Sequence, residues 1–166
     1  AGKDRHTIVS NSRTAVAFGQ STYKVSDLKG PDHTAQYYYE LSEVIPGEAV
    51  NADGVRWDAA TPDQKMAGGF AAGGMTFDAT RYVARVSLKL VDNPTKRTAQ
   101  DQAIVATIDY FKVTKYNDDA RWTGSTADLT PVPSTPNGAN RVEFHNSYRA
   151  STKVAGVDLT KTLDGR

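Results

Sequence analysis

The sequence predicts an α+β fold that is mainly antiparallel β-sheet, with a long central hairpin and a few short C-terminal helices at most. Residues 81–91 and 102–115 are both rich in β-branched and aromatic side chains, and a polar run containing Asn93-Pro94 separates them. Two extended segments joined by a turn are typical of a hairpin. No other part of the chain has two long extended patterns in succession, so this hairpin is expected to be the centre of the fold.

The two arms of the hairpin alternate between different kinds of side chain. In the first arm one face carries Tyr82, Ala84, Val86, Leu88 and Leu90, and the other carries Arg81, Arg85, Ser87 and Lys89 with Val83 and Val91. In the second arm Ile104, Ala106, Ile108 and Tyr110 alternate with Val105, Thr107, Asp109, Phe111 and Val113. Because successive side chains of a strand point to opposite sides, one apolar and one basic face are predicted. A basic face is either a solvated outer surface or a surface that binds an anion.

Shorter extended segments precede the hairpin. Residues 6–18 are predicted to form a first hairpin, and residues 22–25 a short strand. A turn at residues 28–32 then leads into a predicted strand at residues 34–44. Three consecutive tyrosines occupy positions 37–39 of that strand. Their rings can pack within the sheet or stack on nucleic-acid bases.

Glycine and proline mark the less regular parts of the chain. Residues 46–78 are predicted to be an inserted loop, in which the glycine-rich residues 68–74 are flexible. Deletion of that glycine-rich piece is expected to leave the subunit folded. Residues 117–140 are predicted to be a Pro/Gly-rich connecting arm. Short helices are expected near residues 144–153 and from Asp158.

The composition indicates a single domain, residues 1–166, part of whose surface is covered by other molecules. Only 39% of the residues are hydrophobic and the mean hydropathy is −0.53, both low for a compact domain of this size. There is no cysteine, which excludes disulfides and thiolate metal sites. No apolar run approaches the roughly 20 residues of a membrane span. The first residues, AGKDRHTIVS, lack the hydrophobic core of a signal peptide.

Charge is segregated along the chain, although the net charge is only +1. Residues 81–115 carry seven Lys or Arg against three Asp, whereas residues 35–78 carry two basic residues against seven acidic ones. This distribution favours an anionic partner for the hairpin and disfavours one for the acidic loop.

The sequence contains no recognisable catalytic or metal-binding pattern. His6, His33 and His145 lie in unrelated contexts with no second ligand at i+2 or i+4. No serine lies in a nucleophile-elbow context, and Asp118-Asp119 has no partner acid at a recognisable spacing. The prediction is a protein that is not an enzyme and that uses no cofactor or metal.

In order and pattern, residues 7–116 resemble the coat proteins of single-stranded RNA bacteriophages, the levivirus-like group. In that family a short N-terminal hairpin leads into a segment of the form threonine, small, polar, Tyr-Tyr, then an aromatic and basic strand, then a long partner strand. The matching segments here are 14–18, Thr34-Ala35-Gln36-Tyr37-Tyr38, Tyr82-Val83-Ala84-Arg85-Val86-Ser87-Leu88 and 104–113. Family members are usually shorter, lack a glycine-rich excursion like residues 46–78, and end in two helices that clasp the partner subunit.

The resemblance implies a sheet that continues across an intimate homodimer, with many dimers forming an icosahedral shell whose inner surface faces RNA. The protein would then be a non-enzymatic capsid subunit of a virion, assembled in the host cytoplasm around single-stranded RNA, with no membrane partner. The partner subunit is expected to cover the apolar face of residues 82–90. The alternative is a secreted β-sandwich binding module, such as a carbohydrate-binding or surface-adhesion domain, which many short strands and surface tyrosines would also suit.

The basic face of the hairpin supplies the candidate RNA-binding residues. They are Arg81, Arg85, Ser87 and Lys89 on the first arm and Thr107 across the hairpin. Side chains two apart on a strand are about 7 Å from each other, comparable to the phosphate spacing of an extended single strand. One strand can therefore contact several phosphates without reading bases. Asp109 shares this face by simple alternation, where it would repel phosphate unless it pairs with a cation.

Overall fold

The protein is built mainly from antiparallel strands, as the sequence predicts. The computed structural model describes residues 22–92, 102–133 and 142–149. The elements are strand β1 (Thr34–Leu41), helix α1 (Pro62–Ala67) and strands β2 (Ala71–Ala72), β3 (Met75–Thr76), β4 (Tyr82–Asp92), β5 (Gln102–Val113), β6 (Leu129–Pro131) and β7 (Ser147–Tyr148). Single turns of 3-10 helix lie at Val25–Asp27, Trp57–Ala59 and Thr126–Asp128. None of the helices in these ranges is long and apolar enough to cross a membrane.

The strands form two sheets. The first has the order β1-β4-β5-β6, and the second has the order β2-β3-β7. Strands β4 and β5 are the two arms of the predicted hairpin, and they are neighbours. Their side-chain contacts have the order of an antiparallel pair. Gln102 at the start of β5 bonds to Asp92 at the end of β4, and Asp109 further along β5 bonds to Arg85 nearer the start of β4. The predicted long strands are therefore confirmed, while residues 93–101 between them lie outside the described part.

The chain forms two compact units. Of the described residues, 22–37, 86–92 and 102–107 belong to one unit, and 38–85, 108–133 and 142–149 belong to the other. The core of the first unit contains Leu28, Val86 and Leu88, with Tyr23, Ala35, Tyr37, Leu90 and Ile104 packed against them. The apolar face of β4 is thus partly covered by residues 23 and 28 of the same chain. The dimer that was expected to cover this face stays a prediction.

One core of the second unit lies where the chain folds back after β5. Its buried residues are Val83, Val113, Tyr116 and Ala120, with Trp122 and Leu129 packed against them. Val83 is completely buried, although it lies on the same face of β4 as the basic residues. The basic face of β4 is therefore not solvent-exposed along its whole length. The short edge strand β6, which pairs with β5, lies within the segment predicted to be an irregular arm.

The segment 46–78 has a core of its own and is not a flexible loop. Ile45, Ala49 and Phe70 are buried together, and the Trp57 ring meets Phe70 edge-on with 4.9 Å between centroids. Helix α1 begins with a capping box, in which the Thr61 hydroxyl accepts from the Gln64 N–H and the Gln64 side chain accepts from the Thr61 N–H. The glycine-rich composition hid this core because Phe70 is its only large residue between positions 68 and 74.

The predicted helix at 144–153 is wrong as far as the structure describes it. Residues 142–149 contain no helix, and β7 pairs with β3 through Met75–Tyr148 and Thr76–Ser147. Tertiary bonds hold this segment extended, because the Asp78 carboxylate accepts from the His145 N–H at 2.9 Å. Local propensity is overridden by these long-range contacts.

Two further expectations concern the N-terminal part. The predicted strand at 22–25 is wrong, because Val25–Asp27 form a 3-10 turn in which the Leu28 N–H donates to the Val25 carbonyl at 3.1 Å. The Asp27 carboxylate caps the turn by accepting from the Lys24 N–H at 2.7 Å. The predicted turn at 28–32 is confirmed, since Lys29 and Thr34 form a bridge around it. The first hairpin at residues 6–18 and the helix from Asp158 lie outside the described residues.

Candidate nucleic-acid interface

The predicted RNA-binding residues occupy two different environments. Ser87, Lys89 and Thr107 belong to the first unit, whereas Arg81 and Arg85 belong to the second. The alternation predicted for β4 holds from Val86 to Lys89, because Val86 and Leu88 are buried in a core while Lys89 is exposed. What each residue contacts differs sharply between the two environments.

Ser87, Lys89 and Thr107 line a shallow groove of about 430 Å³. The residues of this strand groove are Thr34, Ala35, Gln36, Ser87, Leu88, Lys89, Val91, Val105 and Thr107. None of these residues is acidic, so Lys89 and the neighbouring hydroxyl and amide groups determine the electrostatics of the groove. The sequence interpretation did not include Thr34 and Gln36. Strand alternation could have identified them. Ala35 and Tyr37 pack into the core, so the side chains of Thr34 and Gln36 point to the other face of β1.

Arg85 is committed to a contact within the sheet. Its guanidinium donates to Asp109 Oδ2 at 3.1 Å and lies 4.8 Å from the centre of the Phe111 ring. Arg85 Nε is buried and has no hydrogen-bond partner among the described residues. The requirement that Asp109 pair with a cation is met, and the pair leaves little net charge at this point of β4.

Arg81 joins a second cluster of charges. Its Nη1 is 3.5 Å from Glu40 Oε2 and 3.4 Å from Ser42 Oγ, and the guanidinium lies over the Tyr116 ring. Arg121 Nε is 3.4 Å from the same Glu40 oxygen. We call Arg81, Arg121 and Glu40 the arginine cluster. Sequence reasoning missed Arg121 and Glu40 because they are 81 positions apart.

The Tyr116 hydroxyl anchors the loop beside this cluster. Burial raises the pKa of Tyr116 above its ordinary value, so the hydroxyl stays protonated at neutral pH. It donates to the Ala79 carbonyl at 3.0 Å. The bond holds the ring under the Arg81 guanidinium.

The strand groove has the chemistry to contact an extended anion. Within the described ranges, no three His, Asp or Glu side chains are grouped so that they could hold a metal ion. The strand groove offers one ammonium group and several uncharged donors on an open surface. Such a surface can contact successive phosphates of a single strand.

Comparisons with known proteins add no assignment. No protein-family model matches this sequence, and no significant match is found among curated proteins or solved structures. The levivirus-like resemblance therefore stays a prediction, and the function must be argued from the residues.

Proposed function

We propose that this protein is a capsid subunit that dimerises, self-assembles into an icosahedral shell and packages single-stranded RNA in a virion. The observation that supports the proposal is the strand groove, in which Lys89, Ser87 and Thr107 line one surface and no lining residue is acidic. The opposite face of the same strand packs into a core through Val86 and Leu88. Ser87 and Lys89 on the polar face of β4 can thus contact a ligand without cost to the core.

A shell explains why so modest a groove would suffice. Arg85 pairs with Asp109, and Arg81 shares Glu40 with Arg121, so Lys89 is the main cation of the groove. One ammonium binds a phosphate weakly and with strong salt dependence. Many copies on one surface raise the effective affinity by multivalency, so a weak site per subunit can retain a long RNA.

The test is the size and content of the purified protein. Light scattering and electron microscopy should reveal closed particles whose absorbance spectrum and nuclease sensitivity identify RNA inside. A monomer of 18.0 kDa that carries no nucleic acid would overturn the proposal and favour the secreted binding module.

A further inference from the structure

We infer that the arginine cluster and the adjoining rings of Tyr38 and Trp122 form a site for one nucleotide of single-stranded RNA. A phosphate would bind Arg121 and a base would stack on Tyr38. This inference rests on the proposed function and adds a contact separate from the strand groove. All of these residues belong to the second unit.

The arginine cluster places two guanidinium groups beside a single carboxylate. Two guanidinium groups share one carboxylate oxygen, at 3.5 Å for Arg81 and 3.4 Å for Arg121. Both distances exceed the roughly 2.7–2.9 Å of a strong charge-assisted bond. The side chain of Arg121 is 38% exposed, against 18% for Arg81 and 19% for Glu40. Arg121 is therefore the cation that an incoming anion reaches.

Arg121 is held in place by the loop that precedes it. The Asn117 side-chain oxygen accepts from the N–H groups of Asp119 and Arg121, both at 3.0 Å. The Asn117 N–H donates to the Arg121 carbonyl at 2.8 Å, and Tyr116 bridges to Trp122. A preorganised backbone lowers the entropy that ligand binding would otherwise cost.

The neighbouring aromatic pair supplies a stacking surface. The rings of Tyr38 and Trp122 are 5.4 Å apart between centroids at an angle of 40°. The Trp122 indole donates to the Ser125 carbonyl at 2.8 Å and packs against the Val83 core, so its position is fixed. Tyr38 is 37% exposed. Aromatic rings of this kind stack on any base, with little dependence on sequence.

The phosphate and base contacts lie within reach of one nucleotide. Tyr38 and Glu40 are two positions apart on β1 and share a face, which separates them by about 7 Å. Glu40 belongs to the arginine cluster, and Tyr38 belongs to the stacking surface. A cation beside an aromatic ring matches the phosphate and base of the same or the next nucleotide, which distinguishes the site from one for inorganic phosphate.

Fluorescence provides a direct test. The chain has two tryptophans, so Trp57→Phe leaves Trp122 as the only one while keeping a ring against Phe70. Titration of this assembled protein with oligoadenylate of about ten nucleotides should quench Trp122 emission. Inorganic phosphate at equal ionic strength should not. Quenching by phosphate alone, or none by the oligonucleotide, would overturn the site.

Substitutions separate the two contacts. Tyr38→Leu should weaken oligoadenylate binding about fivefold to a hundredfold, the range expected for one lost stacking contact, whereas Tyr38→Phe should bind normally. Arg121→Gln should lower the salt slope by about 0.7. Glu40→Gln should bind RNA more tightly, a gain that loss of folding does not produce. Unchanged binding in Tyr38→Leu, Arg121→Gln and Glu40→Gln would mean that the cluster is only structural.

Failure of this inference is distinguishable from failure of the proposed function. If Lys89→Ser weakens RNA binding but the Arg121 and Tyr38 variants do not, the nucleotide site is absent and the groove alone binds. If the unaltered protein binds no RNA, both proposals are wrong. Lys112→Gln, which removes an exposed cation from the opposite face of β5, is the charge-matched control.

Discussion

Arg85 on β4 and Asp109 on β5 form an ion pair at 3.1 Å, beneath which the Phe111 ring faces the guanidinium at 4.8 Å. Because of this pair, the basic residues of β4 have different contacts. Arg85 stabilises the contact between neighbouring strands, while Lys89 remains exposed in the strand groove. Arg85 and Lys89, which were both expected to face RNA, therefore lie in different environments.

Asp109→Asn should strengthen RNA binding. Removal of the carboxylate frees the Arg85 charge, so the salt dependence should become steeper by about 0.7 for a single strand. The free energy of unfolding should fall by no more than about 1 kcal/mol, because the pair is partly exposed. Filter binding over a range of salt concentrations checks this. Asp53→Asn, which removes an exposed charge from a turn, should change neither slope nor affinity.

Lys89→Ser should weaken binding to all RNA sequences alike. The loss of one phosphate contact should flatten the salt slope by about 0.7. Lys112→Ser is the control, since Lys112 is exposed on the other face of β5. The subunit should stay folded in both cases. Equal RNA content and equal salt sensitivity in the two variants would show that the groove is merely solvated.

Phe70→Ala should destabilise the second unit by about 3–5 kcal/mol, because it empties a completely buried site. Met66→Ala on the exposed side of α1 should cost less than about 0.5 kcal/mol. Urea unfolding followed by tryptophan fluorescence measures both. Deletion of residues 68–74, first expected to be tolerated, should now disrupt the Ile45–Ala49–Phe70 core. A deletion variant with unchanged stability would contradict the structural role of Phe70.

Gly74→Ala should detach the C-terminal segment from β3. A Cβ at position 74 would lie 2.7 Å from the Arg149 carbonyl oxygen. Arg149 directly follows β7, so this clash would push β7 away from β3. Gly73→Ala is the matched control, because Gly73 also has a positive φ but its Cβ would meet open space. Both variants carry the strain of a positive φ. Limited proteolysis should cleave Gly74→Ala faster, and equal cleavage of the two would exclude the clash.

Asp78→Asn should lower stability at neutral pH and remove part of the acid sensitivity. Burial opposes ionisation of Asp78, but hydrogen bonds from Thr80 and His145 outweigh it and lower the pKa of the carboxyl. Its stabilisation is therefore present above the ordinary value of 3.8 and is lost as pH falls through the folded-state pKa. Both carboxylate oxygens of Asp78 accept hydrogen bonds, whereas an asparagine side chain has one acceptor oxygen. The lost hydrogen bond should lower the free energy of unfolding by about 1 kcal/mol.

The measurement is urea unfolding of both proteins at neutral pH and below the ordinary pKa of an aspartate. The stability difference between them should shrink on acidification. Glu43 acts in the opposite sense, because burial raises the pKa of its carboxyl and protonation relieves that cost. The Asp78 charge adds to the rise of the Glu43 pKa, so Asp78→Asn should bring the Glu43 pKa closer to its ordinary value. A difference that is independent of pH would show that Asp78 does not hold the segment through its charge.

The sequence alone determined the features that depend only on residues close together in the chain. The alternation of residues 82–90 identified Val86 and Leu88 as core and Lys89 as exposed, because a strand turns successive side chains to opposite sides. The turn at 28–32 was equally readable, since Gly30 permits the positive φ that the turn adopts and Pro31 fixes its own φ. The levivirus-like identity of the chain and its RNA partner stay predictions.

Tertiary structure decided the features that depend on residues far apart in the chain. The pairing of Arg121 with Glu40, the burial of Val83 beneath the returning loop, and the extension of residues 142–149 along β3 each join segments that no local period connects. Phe70 became a core residue because Trp57 and Ile45 surround it, although its own neighbours are glycines and alanines. Sequence pattern reports the direction of a side chain, and only the folded chain determines which groups meet it there.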